Sequence, residues 1–122
     1  MAKVLIVDDN ADILQILETA LRRSGYDVRA ATNREQACTV APDFCPDVLI
    51  VDWNLGDHMD GIELTQVLRA KLPELPAILI TGYPSETLRR NAAAANIWPV
   101  LAKPFEWAEL REAIEEAMTR GV

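Results

Sequence analysis

Val4-Leu5-Ile6-Val7-Asp8-Asp9 and, further along the chain, Val48-Leu49-Ile50-Val51-Asp52 are two short, almost wholly apolar runs that end in carboxylates. Runs of this kind, bounded by polar residues, read as strands buried on both faces, as in a parallel sheet. If the two are parallel neighbours, Asp8, Asp9 and Asp52 converge at one edge of the sheet, where open α/β folds place their chemistry. Two ionised carboxylates about 4 Å apart repel by roughly 4 kcal/mol at an effective dielectric near 20, so the cluster needs a cation, a proton or an electrophile.

Working outward, strand-like runs alternate with helical periodicity. Ile13, Leu14, Leu17, Ala20 and Leu21 predict a first helix that Gly25 stops. A weaker strand at Val28 to Ala31 leads to Asn33, a cap for a second helix that contains Gln36 and is expected to end before Pro42. After the strand at Val48 to Val51, Asp60 and Glu63 resemble a capping box, with Leu64, Val67, Leu68 and Leu72 as the apolar stripe of a third helix ended by Pro73. Ala77 to Ile80 reads as a fourth strand. Ser85 then caps an alanine-rich helix around Leu88 to Ala95, which buries little area and is expected to be mobile. A fifth strand near Val100 to Ala102 begins beside Pro99, which suits an edge. Trp107, Leu110, Ile114, Ala117 and Met118 line a last helix. Five strands and five helices in alternation predict an α/β, doubly wound parallel sheet, compatible with strand order 2-1-3-4-5. That order sets Thr81 and Lys103 on the same rim as the three aspartates.

The chain has 122 residues, half of them apolar, which suits one domain over 1–122. Nineteen acidic against twelve basic residues give a net charge of −7, a poor footprint for nucleic acid or anionic membrane, so protein partners are expected. Without a signal-peptide core or a bilayer-length apolar run, a cytoplasmic protein with no membrane insertion is expected. Cys38 and Cys45 lack metal-ligand or disulfide-framework spacing and read as ordinary semi-buried thiols. His58, the single histidine, lies in a polar loop and reads as solvated rather than as a phosphodonor or ligand.

Taken in order, Val7-Asp8-Asp9, Val51-Asp52, Thr81-Gly82 and Lys103-Pro104-Phe105 resemble the receiver domain of bacterial two-component response regulators over essentially the whole chain, with its flavodoxin-like (βα)5 fold. The resemblance implies a phosphoacceptor rather than an enzyme on external substrates. Asp52 would take a phosphoryl group from a histidine kinase or a histidine phosphotransfer protein, with Mg²⁺ bound by Asp9, Asp52 and the backbone carbonyl of Asn54, and by Asp8 through water. Lys103 would supply a second positive charge, and Lys103-Pro104 would be a cis peptide. Thr81 would bond a phosphoryl oxygen and switch a surface of the fourth helix, fifth strand and fifth helix toward a downstream protein or a second copy in a homodimer. Asn54, Gly82 and Tyr83 would tune hydrolysis.

Departures also count. Val100 stands where the family often carries a reporting aromatic; Trp98 could share its face by strand periodicity, with a plain packing role weighed equally. The loop from Leu55 to Gly61 lacks the proline usual after the phosphoacceptor and is one residue longer than usual, a variant that resembles receivers attached to hybrid histidine kinases. Other readings are a phosphorylation-independent scaffold, a phosphate sink or shuttle in a relay, and an aspartate-nucleophile phosphatase, which Asn54 disfavours because a second aspartate is expected there. No output segment is recognisable after the fifth helix, so the output is expected in another molecule or in further chain.

Overall fold

The computed structural model describes residues 2–56 and 59–120; the reading of His58 lies outside them. Strands β1 (Lys3–Val7), β2 (Asp27–Ala31), β3 (Val48–Asp52), β4 (Ala77–Thr81) and β5 (Val100–Ala102) alternate with helices α1 (Ala11–Arg23), α2 (Arg34–Phe44), α3 (Gly61–Arg69), α4 (Glu86–Ala94) and α5 (Trp107–Arg120). All pairings are parallel and the order is β2-β1-β3-β4-β5, a flavodoxin-like doubly wound sheet.

Strand alternation divides the core in two. Leu5, Val7, Leu49, Val51, Ala77 and Leu79 face α2, α3 and α4, where Ala37, Ala41, Leu64, Leu68, Leu88 and Ala92 meet them. The intervening Val4, Ile6, Val48, Ile50, Ile78 and Ile80 pack against Leu14, Leu17 and Leu21 of α1 and Leu110, Ile114 and Ala117 of α5. Each fully buried aliphatic side chain contributes about 1.5–3 kcal/mol, so these two layers hold the strand ends in place.

Local signals act largely as the sequence suggests. Gly25 follows Ser24 at φ +95, a left-handed turn suited to glycine, while α1 begins on a cap absent from the sequence reading, Asn10 Oδ1 accepting from Asp12 N and Ile13 N. Asn33 caps α2, although Gln36 Oε1 accepts from Thr32 rather than closing a box on Asn33. Asp60 and Glu63 form the full capping box of α3. α2, however, runs through Pro42 to Phe44 instead of ending before it. Proline there deletes only the bond to the Cys38 carbonyl, and Cys45 N still donates to Ala41 O at 2.9 Å to close the last turn. α3 stops at Arg69, short of Pro73, and Val67 is exposed; its inward face is Ile62, Leu64, Thr65 and Leu68. Thr65 can be buried because its hydroxyl donates to Gly61 O at 2.7 Å. Of the two thiols, Cys38 is half-buried, but Cys45 is exposed in the residue that ends α2.

Candidate functional site

Register assembles the site. Val7 pairs with Val51, so the residues that follow them, Asp8 and Asp52, emerge side by side where β1 and β3 end. Asp52 pairs with Ile80 and Thr81 with Ala102, which brings Thr81 and Lys103 to the same rim. Asp9 lies in the turn before α1. Carboxylate oxygens of Asp8, Asp9 and Asp52 lie within 4.8 Å of one another, the one such acidic group among the described residues. Lys103 Nζ closes the group, donating to Asp52 Oδ2 at 2.7 Å and to Asp8 Oδ2 at 3.0 Å. The remaining oxygens of the two buried aspartates accept from backbone: Asp8 Oδ1 from Asn10 N at 2.9 Å and Asp52 Oδ1 from Asn54 N at 3.1 Å. The Lys103–Pro104 peptide is cis, and so is Trp98–Pro99.

The electrostatics follow from burial. Asp8 is wholly buried and Asp52 nearly so, while Asp9 is exposed. Burial pushes the Asp52 carboxyl above the usual carboxylate range; the Lys103 hydrogen bond opposes that push and the Asp8 charge adds to it. Burial alone would lower the Lys103 ammonium, but its bonds to Asp52 and Asp8 outweigh this and hold it above the ordinary lysine range. Lys103 therefore stays charged, and one ammonium faces three carboxylates. The donor set is hard oxygen with a surplus of negative charge, which fits a hard divalent cation.

Around the cluster is an open cleft of about 560 Å³ bordered by Asp9, Asp52, Thr81, Gly82 and Lys103. Thr81 is buried at its edge, and its Oγ1 accepts from Tyr83 N at 3.0 Å. A Cβ added to Gly82 would meet nothing within 4 Å, and its φ does not demand glycine, so the open space there belongs to the cleft rather than to the turn. Tyr83 borders the cleft with its side chain 91% exposed. The Asn54 side chain turns back on its own loop, where Oδ1 accepts from Gly56 N at 3.0 Å. Trp98 does not share the Val100 face: β5 begins at Val100, which is buried, whereas Trp98 is exposed and its indole N–H donates to Glu116 Oε1 at 2.9 Å.

Gly61 is a site residue that sequence reasoning missed. Its N–H donates to Trp53 O at 2.9 Å, seating the first turn of α3 on the end of β3. An added Cβ would collide with the Asp52 carbonyl oxygen and lie 2.9 Å from Leu79 Cδ1. Gly61→Ala is therefore expected to destabilise the fold by about 1–3 kcal/mol, because backbone must move. Equilibrium urea unfolding checks this, and an unchanged midpoint would show that α3 lifts away freely.

A sequence model of the response regulator receiver domain family matches residues 4–115. The response regulator protein PilR of Pseudomonas aeruginosa is 34% identical over 95% of this chain and 26% of its own length. The transcriptional regulatory protein PrrA of Mycobacterium tuberculosis is 32% identical over 97% of this chain and 50% of its own. The chain thus spans half or less of the length of these relatives. Among solved structures, the signal receiver domain of a modulated diguanylate cyclase from Desulfovibrio desulfuricans superposes with a TM-score of 0.87 at 34% identity, covering 99% of this chain and 96% of that one.

Proposed function

This chain belongs to the response-regulator receiver family, and from that premise we propose that residues 1–122 form one receiver domain whose Asp52 accepts a phosphoryl group from a phosphohistidine. The observation that carries this reading is the Lys103 ammonium bridging Asp8 and Asp52, three residues far apart in sequence meeting at 2.7 and 3.0 Å. The donor is a histidine kinase or a histidine phosphotransfer protein, as befits the family. The domain is a substrate and switch, not an enzyme acting on an external substrate, and a cytoplasmic site of action accompanies the reading.

Chemically, a carboxylate oxygen of Asp52 attacks phosphorus as the bond to the donor imidazole nitrogen breaks, and the released imidazole takes up a proton. Burial disfavours the ionised Asp52, which makes it a better nucleophile once formed, while Lys103 holds Oδ2 and keeps the carboxylate oriented. Lys103 also stands ready to meet charge that accumulates on the transferred oxygens. Asp9, Asp52 and the Asn54 carbonyl would hold Mg²⁺, with Asp8 acting through water. Bound there, Mg²⁺ supplies two positive charges that neutralise phosphoryl oxygens.

Output follows from Thr81. Among the described residues its hydroxyl is held by the Tyr83 amide of its own loop, so a phosphoryl oxygen can compete for it and draw residues 82–84 inward. The surface of α4, β5 and α5 then changes for a downstream protein or a second copy of the chain. Gly82, Tyr83 and Asn54 border the group and set how readily water reaches it. Incubation of the purified chain with Mg²⁺ and a phosphorylated histidine phosphotransfer partner tests the reading: intact mass is expected to rise by one phosphoryl group, on Asp52. Transfer that occurs equally well after complete chelation of divalent cations would overturn the assignment of the acidic group.

Metal should also stabilise the folded chain. At about a hundredfold excess over its Kd, a cation that binds only the native state adds roughly 2.7 kcal/mol. Thermal melts of wild type should therefore rise with Mg²⁺, while Asp9→Asn should lose most of that rise.

A further inference from the structure

α4 is the helix least held by the rest of the fold: among the described residues it packs only lightly on other elements, through Leu88 and Ala92. Its two ends are secured very differently. At the N-terminal end, Ser85 Oγ accepts from Leu88 N, a bond internal to the helix, and the preceding Gly82, Tyr83 and Pro84 are exposed. One longer bond, Arg89 Nη1 to Val100 O at 3.2 Å, reaches β5. At the C-terminal end, the guanidinium of Arg69 enters from α3. It donates from Nη1 to Ala95 O, from Nη2 to Asn96 O at 2.9 Å and from Nε to Leu75 O at 3.0 Å.

Those acceptors are what a helix end presents. Ala95 and Asn96 carry carbonyls at the negative end of α4, which lack partners within the helix, and a planar guanidinium can satisfy two of them at once. Arg69 has no carboxylate partner among the described residues, so its half-buried charge is directed wholly at backbone. The same helix α3 begins at Gly61, on the carbonyl of Asp52. α3 is thus a strut from the phosphoacceptor to the far end of α4.

We propose that Arg69 is a positioning residue that anchors the C-terminal end of α4, so that movement of the Thr81 to Pro84 loop turns the helix about that end instead of releasing it whole. The anchor stands on the contacts above; its use in signalling rests on the phosphoacceptor reading. Movement should be largest at Glu86 to Leu88 and smallest at Ala93 to Ile97.

Amide hydrogen exchange on the full chain, with and without phosphorylation, tests this. In the unphosphorylated state, Arg69→Met is expected to speed exchange at residues 93–97 by about tenfold or more, the cost of losing a charge-assisted hydrogen bond, with α1 and α5 unchanged. Arg69→Lys keeps a charge without the fork and should fall between, which also covers the case in which the methionine variant does not fold. Unaltered exchange at 93–97 in both variants, or acceleration spread evenly over all helices, would overturn the anchor. In phosphorylated wild type, a change at 93–97 as large as that at 86–88 would overturn the pivot while leaving phosphorylation intact. Failure of wild type to take up phosphoryl would sink the phosphoacceptor reading, while the unphosphorylated comparison would still decide on Arg69.

Discussion

Asp52→Asn is expected to abolish phosphoryl uptake from a competent donor, to below detection by intact-mass measurement. An amide of the same shape cannot act as the carboxylate nucleophile, and Asp8 does not replace it, being wholly buried with both oxygens engaged, by Asn10 N and Lys103. The same substitution should leave the metal-free fold as stable as wild type or more so. Asp52 is raised above its usual pKa chiefly by burial, so the folded chain binds its proton more tightly than the unfolded chain does. The stability tied to that proton is complete below the unfolded value and is lost as pH rises through the folded one, leaving a deficit at neutral pH that asparagine removes. Thermal melts at neutral pH without metal check this. If the variant bound a downstream partner as tightly as wild type under phosphorylating conditions, the scaffold reading would be preferred. Persistent phosphoryl uptake would place the acceptor elsewhere.

Lys103→Met is expected to be the most damaging single change to stability at this rim. The side chains of Asp8 and Asp52 are 1% and 8% exposed, and the ammonium is their common counter-charge. Removing one member of a buried ion pair costs about 3–5 kcal/mol, because the remaining charge is left desolvated. The loss should shrink when Mg²⁺ is added, since a second cation can take over the neutralising role. It should also shrink as pH falls. Without Lys103 the bond that opposes the upward push on Asp52 is gone and protonation of Asp52 is the cheapest relief, so the variant should gain stability relative to wild type on acidification. Lys103 itself has a raised pKa, and its contribution is therefore present at neutral pH and lost only as pH rises through that raised value. Urea unfolding across pH, with and without Mg²⁺, measures all three effects; a small loss that neither metal nor acid relieves would mean that the ammonium is a bystander.

How much of this was legible in the linear chain depends on how local each cause is. Apolar runs closed by Asp8, Asp52 and Thr81 announce strands that stop at one level, because a parallel strand buried on both sides has no other way to read. Asn33, Asp60 and Ser85 act through bonds three residues long, so their roles as caps are visible in order alone. Pro42 shows where a local rule overreaches, since in a final turn proline forfeits one bond and the helix continues. Spacing alone puts Val67 inward, yet it lies outward, because Thr65 hides its hydroxyl on Gly61 O and takes an inward place despite its polarity. Gly61 and Arg69 were illegible for a different reason. One is defined by how near α3 comes to Asp52, the other by carbonyls 26 and 27 residues away, and neither distance exists before the chain is folded.

The alternation that divides the core into two layers has a consequence for altering this protein. Deleting one residue within Val48 to Val51 would invert the side chains on one side of the deletion, either turning core residues outward or withdrawing the acceptor from its neighbours, whereas adding residues between Leu55 and Asp60 leaves that parity untouched. The acceptor's place is thus indexed by strand parity, which the length of the segment between Leu55 and Asp60 does not set.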